Sequence, residues 1–253
     1  MSLAGRYAVV TGGGTGVGAA VALALAEAGA RVTIAGRREA PLAETAARHD
    51  AIDYVTCDVT DPAAVAHMLE TAAAHAGRAP DILVANAGAA GSKPFARMSA
   101  EDLRGTLSVN LEGVFNLWRA GLAPMKAGGW GRMIAIASTA GLKGYPYVAD
   151  YCAAKHGVVG LTRALGQELA RTGITVNALC PGFTETPLLE RSIENIMQKT
   201  GRSRDEAVQS LTATNPQGRF VQPGEVAAAV LWLCSDAAGS VNGQAISICG
   251  GET

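Results

Sequence analysis

Aromatic residues make up only 5% of this 253-residue chain, and charged residues only 17%. Neither sign of charge prevails: 21 Lys and Arg stand against 22 Asp and Glu, a net charge of −1. A chain that binds nucleic acid through its phosphates carries a basic excess or a basic stripe, so no nucleic-acid partner is expected. No run of about 18 apolar residues is free of charges and breakers, so no membrane span is expected either. The opening Met1-Ser2-Leu3-Ala4-Gly5-Arg6 lacks an apolar signal segment and leads straight into strand-like sequence, which suits a cytoplasmic protein. Cys57, Cys152, Cys180, Cys234 and Cys249 include no C-x-x-C pair and are odd in number, the pattern of reduced thiols rather than a disulfide framework. His49, His67, His75 and His156 show no ligand spacing, so no metal is expected.

What is abundant is small and apolar. Hydrophobic residues reach 49%, enough to bury a substantial core and to exclude a disordered chain. Short β-branched runs alternate with alanine-rich segments of helical period. Strands are expected at 7–11, 31–35, 52–57, 81–85, 132–137, 174–179 and 245–249. Helices are expected at 15–28, 42–49, 62–76, 100–127, 151–170 and 223–234, the long one interrupted near Gly105 or Gly121. Asp61-Pro62 caps and opens the 62–76 helix. This alternation predicts an α/β fold: a single-domain, doubly wound (Rossmann-like) parallel sheet with helices on both faces. Segment 187–214 breaks the rhythm with two weak helical patterns, and is expected to form a helical lid over the ligand crevice.

Between the first strand and the first helix runs Thr11-Gly-Gly-Gly-Thr-Gly-Val-Gly18. Gly12, Gly16 and Gly18, with Thr15 and Val17 between them, form a turn that lets a pyrophosphate approach backbone N–H groups at a helix N-terminus. In dinucleotide folds an acidic residue about 20 positions on binds the ribose 2′-hydroxyl. Here that position holds Gly36, followed by Arg37 and Arg38. A guanidinium pairs with a 2′-phosphate and no carboxylate repels it, so NADP(H) is favoured, with NAD(H) as the alternative.

Tyr151-Cys-Ala-Ala-Lys155 places two side chains on one face of a helix. A free phenol has a pKa near 10, too high for proton transfer at neutral pH, and a lysine cation one turn away is expected to lower it. Ser138, just after the fifth strand, is placed to hydrogen-bond a substrate carbonyl oxygen.

With these residues in order, and with Asp58, Asn86-Ala87-Gly88, Asn110 and Pro181-Gly182, the chain resembles the short-chain dehydrogenase/reductase family from Gly5 to Gly251. The resemblance implies roles. Asp58 would bind the adenine amino group, with the Val59 backbone beside it. Asn86, Ala87 and Gly88 would line the adenosine side and steady the sheet. Asn110 would hold a helix kink and a water in a proton relay from Lys155. Lys155 would also bind the nicotinamide ribose. Pro181, Gly182, Phe183 and Thr184 would border the nicotinamide. Asn110, Ser138, Tyr151 and Lys155 would form the catalytic set. The family also implies a homotetramer with the long helices and last strand at its interfaces.

Within the family, segments 155–162 and 168–187 resemble aromatic-polyketide ketoreductases and 3-oxoacyl thioester reductases. The expected substrate is a small-molecule ketone or its secondary alcohol, chiefly a 3-oxoacyl thioester on coenzyme A or a carrier protein. Arg191, Lys199, Arg202 and Arg204 of the lid offer cations for its phosphates, though Glu190, Glu194, Asp205 and Glu206 offset them. Leu142, Lys143, Tyr145, Tyr147 and Val148 are expected to form one wall of the pocket, and the two tyrosines leave an aryl ketone open. From another class, a catalytically dormant NADP-sensing protein would keep the glycine turn and lose Tyr151 or Lys155; both are present.

Overall fold

A computed structural model describes residues 2–253. The strands are β1 (Tyr7–Thr11), β2 (Arg31–Gly36), β3 (Ile52–Thr56), β4 (Ile82–Ala85), β5 (Gly131–Ile136), β6 (Ile174–Pro181) and β7 (Ala245–Ile248). The helices are α1 (Gly16–Glu27), α2 (Glu39–Ala46), α3 (Pro62–Ala76), α4 (Ala100–Leu107), α5 (Gly113–Gly128), α6 (Ala149–Glu168), α7 (Pro187–Thr200), α8 (Arg204–Thr212) and α9 (Pro223–Cys234). One seven-stranded sheet runs in the order β3-β2-β1-β4-β5-β6-β7, and its pairings are parallel throughout.

The strands are apolar on both faces because both are covered. Tyr7 and Val9 of β1, Leu83 and Ala85 of β4, and Met133 and Ala135 of β5 pack with α3, α5 and α6. Their alternates Ala8, Val10, Ile82, Val84, Ile134 and Ile136 pack with α1 and α9. The strand period of two thus divides one hydrophobic run between two cores. The chain steps from β1 outward to β2 and β3, then returns to place β4 on the other side of β1. At that reversal the connections leaving β1 and β4 run to opposite faces of the sheet, α1 on one and α5 on the other, and leave a crevice between them.

The expected elements are present, with shifted borders. The second helix begins at Glu39 rather than 42, and β6 continues to Pro181. The long helix is interrupted near Gly105 and not near Gly121, by a π turn over Ser108–Glu112. Gly121 instead lets α5 approach the sheet, since a Cβ there would lie 2.4 Å from Leu83 Cδ1. Segment 187–214 forms α7 and α8, capped by Thr186 and by a Ser203–Glu206 capping box. These two helices close on a small cluster of their own around Leu189, Ile193 and Ala207. No helix among the described residues is long and apolar enough to cross a membrane.

Candidate active site

The glycine turn leaves β1 and enters α1 with Gly12 at φ +66° and Gly16 at φ +56°, backbone that favours glycine. A Cβ on Gly18 would stand 2.2 Å from Gly12 O, and one on Gly12 would stand 2.8 Å from Asn86 Nδ2. Thr15, at the N-cap of α1, makes no side-chain capping bond. The first N–H groups of α1 are therefore free of a side-chain cap, at the positive end of the helix dipole. A side-chain-free cradle over an uncapped helix N-terminus fits the pyrophosphate of a dinucleotide. Asn86 steadies the cradle: its Nδ2 donates to Thr11 O (3.0 Å) and Gly12 O (3.1 Å). Thr11 Oγ1 accepts from the N–H groups of Asn86 (3.1 Å) and Ala87 (3.2 Å), tying the ends of β1 and β4 together. A cavity of about 390 Å³ opens on the outer side of this turn between α1 and α2, lined in part by Gly14, Thr15, Gly16, Thr45 and Arg48. Ser138, Tyr151 and Lys155 take no part in its lining.

Arg37 and Arg38 are exposed at the end of β2, directly after Gly36. Gly12 N donates to Ala35 O (2.7 Å), which sets this cationic end beside the glycine turn. Asp58 Oδ1 accepts from Thr60 N (3.0 Å) and Thr60 Oγ1 (2.8 Å). Those bonds hold its carboxyl below the usual range, with Arg37 adding a smaller pull. Val59 is buried, and its carbonyl accepts from Asn116 Nδ2 (2.9 Å).

Asn110 is fully buried in the π turn. Its Nδ2 donates to Ala89 O (2.8 Å) and Thr106 O (3.0 Å), and its Oδ1 accepts from Ala89 N (3.3 Å). A Cβ on Gly88 would come within 2.9 Å of that Oδ1, so a glycine lets the loop after β4 close on the turn. The side chain thus bonds both the loop after β4 and the preceding helical turn at Thr106, and so holds the interruption of the helix.

Ser138 follows β5, and its Oγ accepts from Ala140 N (3.1 Å), which orients the hydroxyl. Gly141 allows the next turn to lie on α6, where a Cβ would meet Lys155 O at 2.7 Å. Tyr151 and Lys155 share one face of α6, with Lys155 Nζ 5.5 Å from the phenol ring centroid. The buried Lys155 ammonium donates to Ile136 O (2.9 Å), which ties it to the end of β5. Burial pushes the Tyr151 phenol up to about 12, with the Ser138 hydroxyl pulling the other way. Burial also brings Lys155 down to about 8. The expectation of a lysine-lowered phenol is thus corrected for the protein alone. Loss of water outweighs a cation that leans on a backbone carbonyl.

Pro181 ends β6, and Gly182 N donates to Ile248 O (3.0 Å). Thr184 Oγ1 donates to Gly182 O (3.0 Å), and Thr184 bridges to Val221. The Phe183 ring meets the Tyr145 ring edge-on, with centroids 6.2 Å apart. The start of α7 reaches the glycine turn, because a Cβ on Gly16 would lie 3.0 Å from Thr186 Cγ2. Lys199 Nζ donates to Ser92 O (2.9 Å), joining α7 to the loop after β4. Arg204 pairs with Glu190 inside the lid, which leaves Arg191, Lys199 and Arg202 as the exposed cations there without an ion pair among the described residues.

Two acidic residues near this site escaped the sequence reading. Asp150 is buried directly before Tyr151 and accepts from Thr106 Oγ1 (2.6 Å) and Tyr151 N (2.8 Å). Its position beside the tyrosine was the available signal. Glu252 accepts from Tyr145 OH (2.6 Å), a partner 107 positions away that no local pattern reveals.

A model of the short chain dehydrogenase family matches residues 6–197. The chain belongs to the short-chain dehydrogenase family. It is an oxidoreductase with the doubly wound parallel-sheet fold of its solved neighbours. A protein named as a ketoacyl reductase of the granaticin polyketide synthase, from Streptomyces violaceoruber, is 43% identical over 253 residues, spanning 96% of this chain and 92% of the relative. The 3-oxoacyl-acyl-carrier-protein reductase FabG of Thermotoga maritima is 35% identical over 256 residues, spanning 99% of each chain. Among solved structures, a variant of actinorhodin polyketide ketoreductase with NADPH superposes with a TM-score of 0.94 at 40% identity, covering 98% of this chain and 97% of that one.

Proposed function

We propose that this short-chain dehydrogenase moves a hydride between NADP(H) and a ketone, with a 3-oxoacyl thioester and its 3-hydroxy counterpart as the substrate pair. The observation that carries the reading is the juxtaposition across the switch point. An uncapped, glycine-built helix N-terminus faces the crevice on one side. Ser138, Tyr151 and Lys155 stand at the end of β5 on the other. Bound nicotinamide supplies the hydride for the carbonyl carbon. The Tyr151 hydroxyl donates the proton to the carbonyl oxygen in reduction and receives it in oxidation. The Ser138 hydroxyl, oriented by Ala140 N, donates to the same oxygen as negative charge builds on it. The Lys155 ammonium, anchored on Ile136 O, holds positive charge beneath the phenol and hydrogen-bonds the nicotinamide ribose. Gly12, Thr15, Gly16, Val17 and Gly18 take the pyrophosphate, while Asp58, Val59 and Asn86–Gly88 take the adenosine. Arg37 and Arg38 take the 2′-phosphate, and Pro181–Thr184 border the nicotinamide. Helices α7 and α8 act as the lid.

Relatives named as ketoacyl reductases support the thioester class, and the solved neighbour with NADPH supports the cofactor. The aromatic wall of Tyr145 and Phe183 supports a second reading, an aryl-ketone or secondary-alcohol dehydrogenase. Phe115, half-exposed on α5, supports the homotetramer, for which light scattering is expected to give four times the chain mass.

The test is oxidation of NADPH and of NADH at 340 nm with acetoacetyl-CoA, with Tyr151→Phe as control. Turnover with NADPH and a loss of at least ~100-fold in kcat in Tyr151→Phe is the expected result. Equal turnover with NADH overturns the NADP(H) preference. No turnover with either overturns the thioester and leaves the aryl ketones. Near wild-type turnover of Tyr151→Phe overturns the catalytic assignment, and inertness toward every carbonyl tried would favour the dormant cofactor-sensing alternative.

A further inference from the structure

Glu252 lies outside every motif used above, and its side chain is only 2% exposed. Gly250 and Gly251 have φ of +66° and +97° and turn the segment after β7 back toward the end of β6. Packing holds that turn: a Cβ on Gly250 would lie 1.9 Å from Asn215 Oδ1. Thr253 is joined to Ser247 at 2.6 Å. The carboxylate is thus delivered to a defined place. Its Oε1 accepts from Tyr145 OH (2.6 Å) and forms an ion pair with Lys143 Nζ (3.0 Å). Its Oε2 is buried without a hydrogen-bond partner, beside Gly182, where a Cβ would come within 3.3 Å of it.

Lys143 and Tyr145 belong to the loop between Ser138 and Tyr151. The Tyr145 hydroxyl also bonds Thr139 Oγ1 (2.7 Å), the residue after Ser138. The carboxylate therefore meets the substrate wall one residue from the group that receives the carbonyl oxygen. A buried carboxylate is unfavourable unless it is paired, and an amide of the same shape accepts from a tyrosine at less cost. The hydrogen bond to Tyr145 does not by itself call for a negative charge. Lys143 does: its side chain is 39% exposed, Glu252 is the carboxylate its ammonium pairs with, and the ammonium leans over the Tyr145 ring at 5.0 Å from the centroid.

Resting on the ketone reading above, we propose that Glu252 is a specificity-determining residue. It cancels the charge of Lys143, so that the wall beside Ser138 and Tyr151 is electrically neutral. The site then takes ketones whose neighbouring group is uncharged, such as 3-oxo esters and thioesters, and discriminates against 3-oxo carboxylates. Without Glu252 the freed ammonium would draw in a carboxylate placed two carbons from the carbonyl.

The test compares ethyl acetoacetate with acetoacetate, which share the 3-oxobutanoyl group and differ in charge. The readout is the ratio of kcat/KM for acid to ester in the wild type, in Glu252→Gln and in Lys143→Met/Glu252→Gln. In Glu252→Gln the ratio is expected to rise about tenfold, the scale of one half-exposed charge contact. In the double variant, which removes the freed cation, it is expected to return to about the wild-type value. A wall that is merely loosened lowers both substrates together and leaves the ratio unchanged, and that result in Glu252→Gln overturns the proposal. So does a raised ratio that persists in the double variant. If the wild type reduces neither compound, the 3-oxoacyl reading fails and the aryl ketones remain. The same ratio is then taken from dissociation constants by calorimetry, where a rise of about tenfold upholds the charge-cancelling role and no change overturns it.

Discussion

Tyr151 and Lys155 sit one helical turn apart, and burial moves their protons in opposite senses. The phenol is pushed up to about 12 and the ammonium is brought down to about 8. Both shifts favour the neutral form. The folded chain therefore bears a cost for Lys155 at neutral pH, where the side chain is charged in both states. As pH rises from about 8 toward the ordinary 10.5, the folded state releases its proton first, and stability is regained. Lys155→Met removes that cost and leaves Ile136 O without its partner, a loss of about 1 kcal/mol. The net expectation is a gain of about 1–2 kcal/mol at pH 7, together with loss of turnover. The gap between variant and wild type should narrow from pH 8 to 10, as measured by urea unfolding. A wild type more stable than the variant at pH 7 would refute the burial argument. The spacing of four made this pair legible in the sequence, but the surroundings that tune it come from β5 and β6.

At the scale of elements, the interruption of the long helix shows where pattern reading stops. Glycine is the usual local reason to break a helix, so Gly105 and Gly121 stood out. The break falls at Ser108–Glu112 because Asn110 bonds both Thr106 on its own helix and the backbone of Ala89 in the loop after β4. A tertiary partner decides the position. Asn110→Ala leaves those buried backbone groups unpaired and is expected to cost about 2–4 kcal/mol of unfolding free energy. Denaturant titration checks it, and a change below about 0.5 kcal/mol would mean that the turn is held elsewhere. The same holds for α7 and α8. Their capping residues are local, but the cluster around Leu189, Ile193 and Ala207 that gathers them is not.

At the scale of the whole molecule, two cores share one sheet. Every central strand sends alternate side chains to each, so neither face can be lost without exposing the other. Trp118 reports the face of α3, α5 and α6, and Trp130 packs against the face of α1 and α9. Tryptophan fluorescence and far-ultraviolet circular dichroism are therefore expected to give coincident urea transitions. Separated midpoints would show that one layer melts alone. The doubly wound architecture was legible in the sequence because helices alternating with seven strands admit few other solutions. Which strands are neighbours, and hence where the crevice opens, required the sheet order.

The residues that do local work are determined by the chain alone. Gly12 and Gly16 take positive φ, Gly18 stands where a Cβ would meet Gly12 O, Asp61-Pro62 opens a helix, and Tyr151 and Lys155 share a face through the helical period. These follow from backbone sterics and periodicity, which act over a few residues. The tertiary structure decided what depends on distant partners. It committed Asn110 to Ala89 and Arg204 to Glu190. It drew Lys155 onto Ile136 O and raised the phenol that the sequence had led us to expect lowered. It also brought Glu252 to Lys143 and Tyr145. Desolvation and pairing are set by whatever surrounds a group in space, and at those positions the surroundings come from elements far apart in the chain.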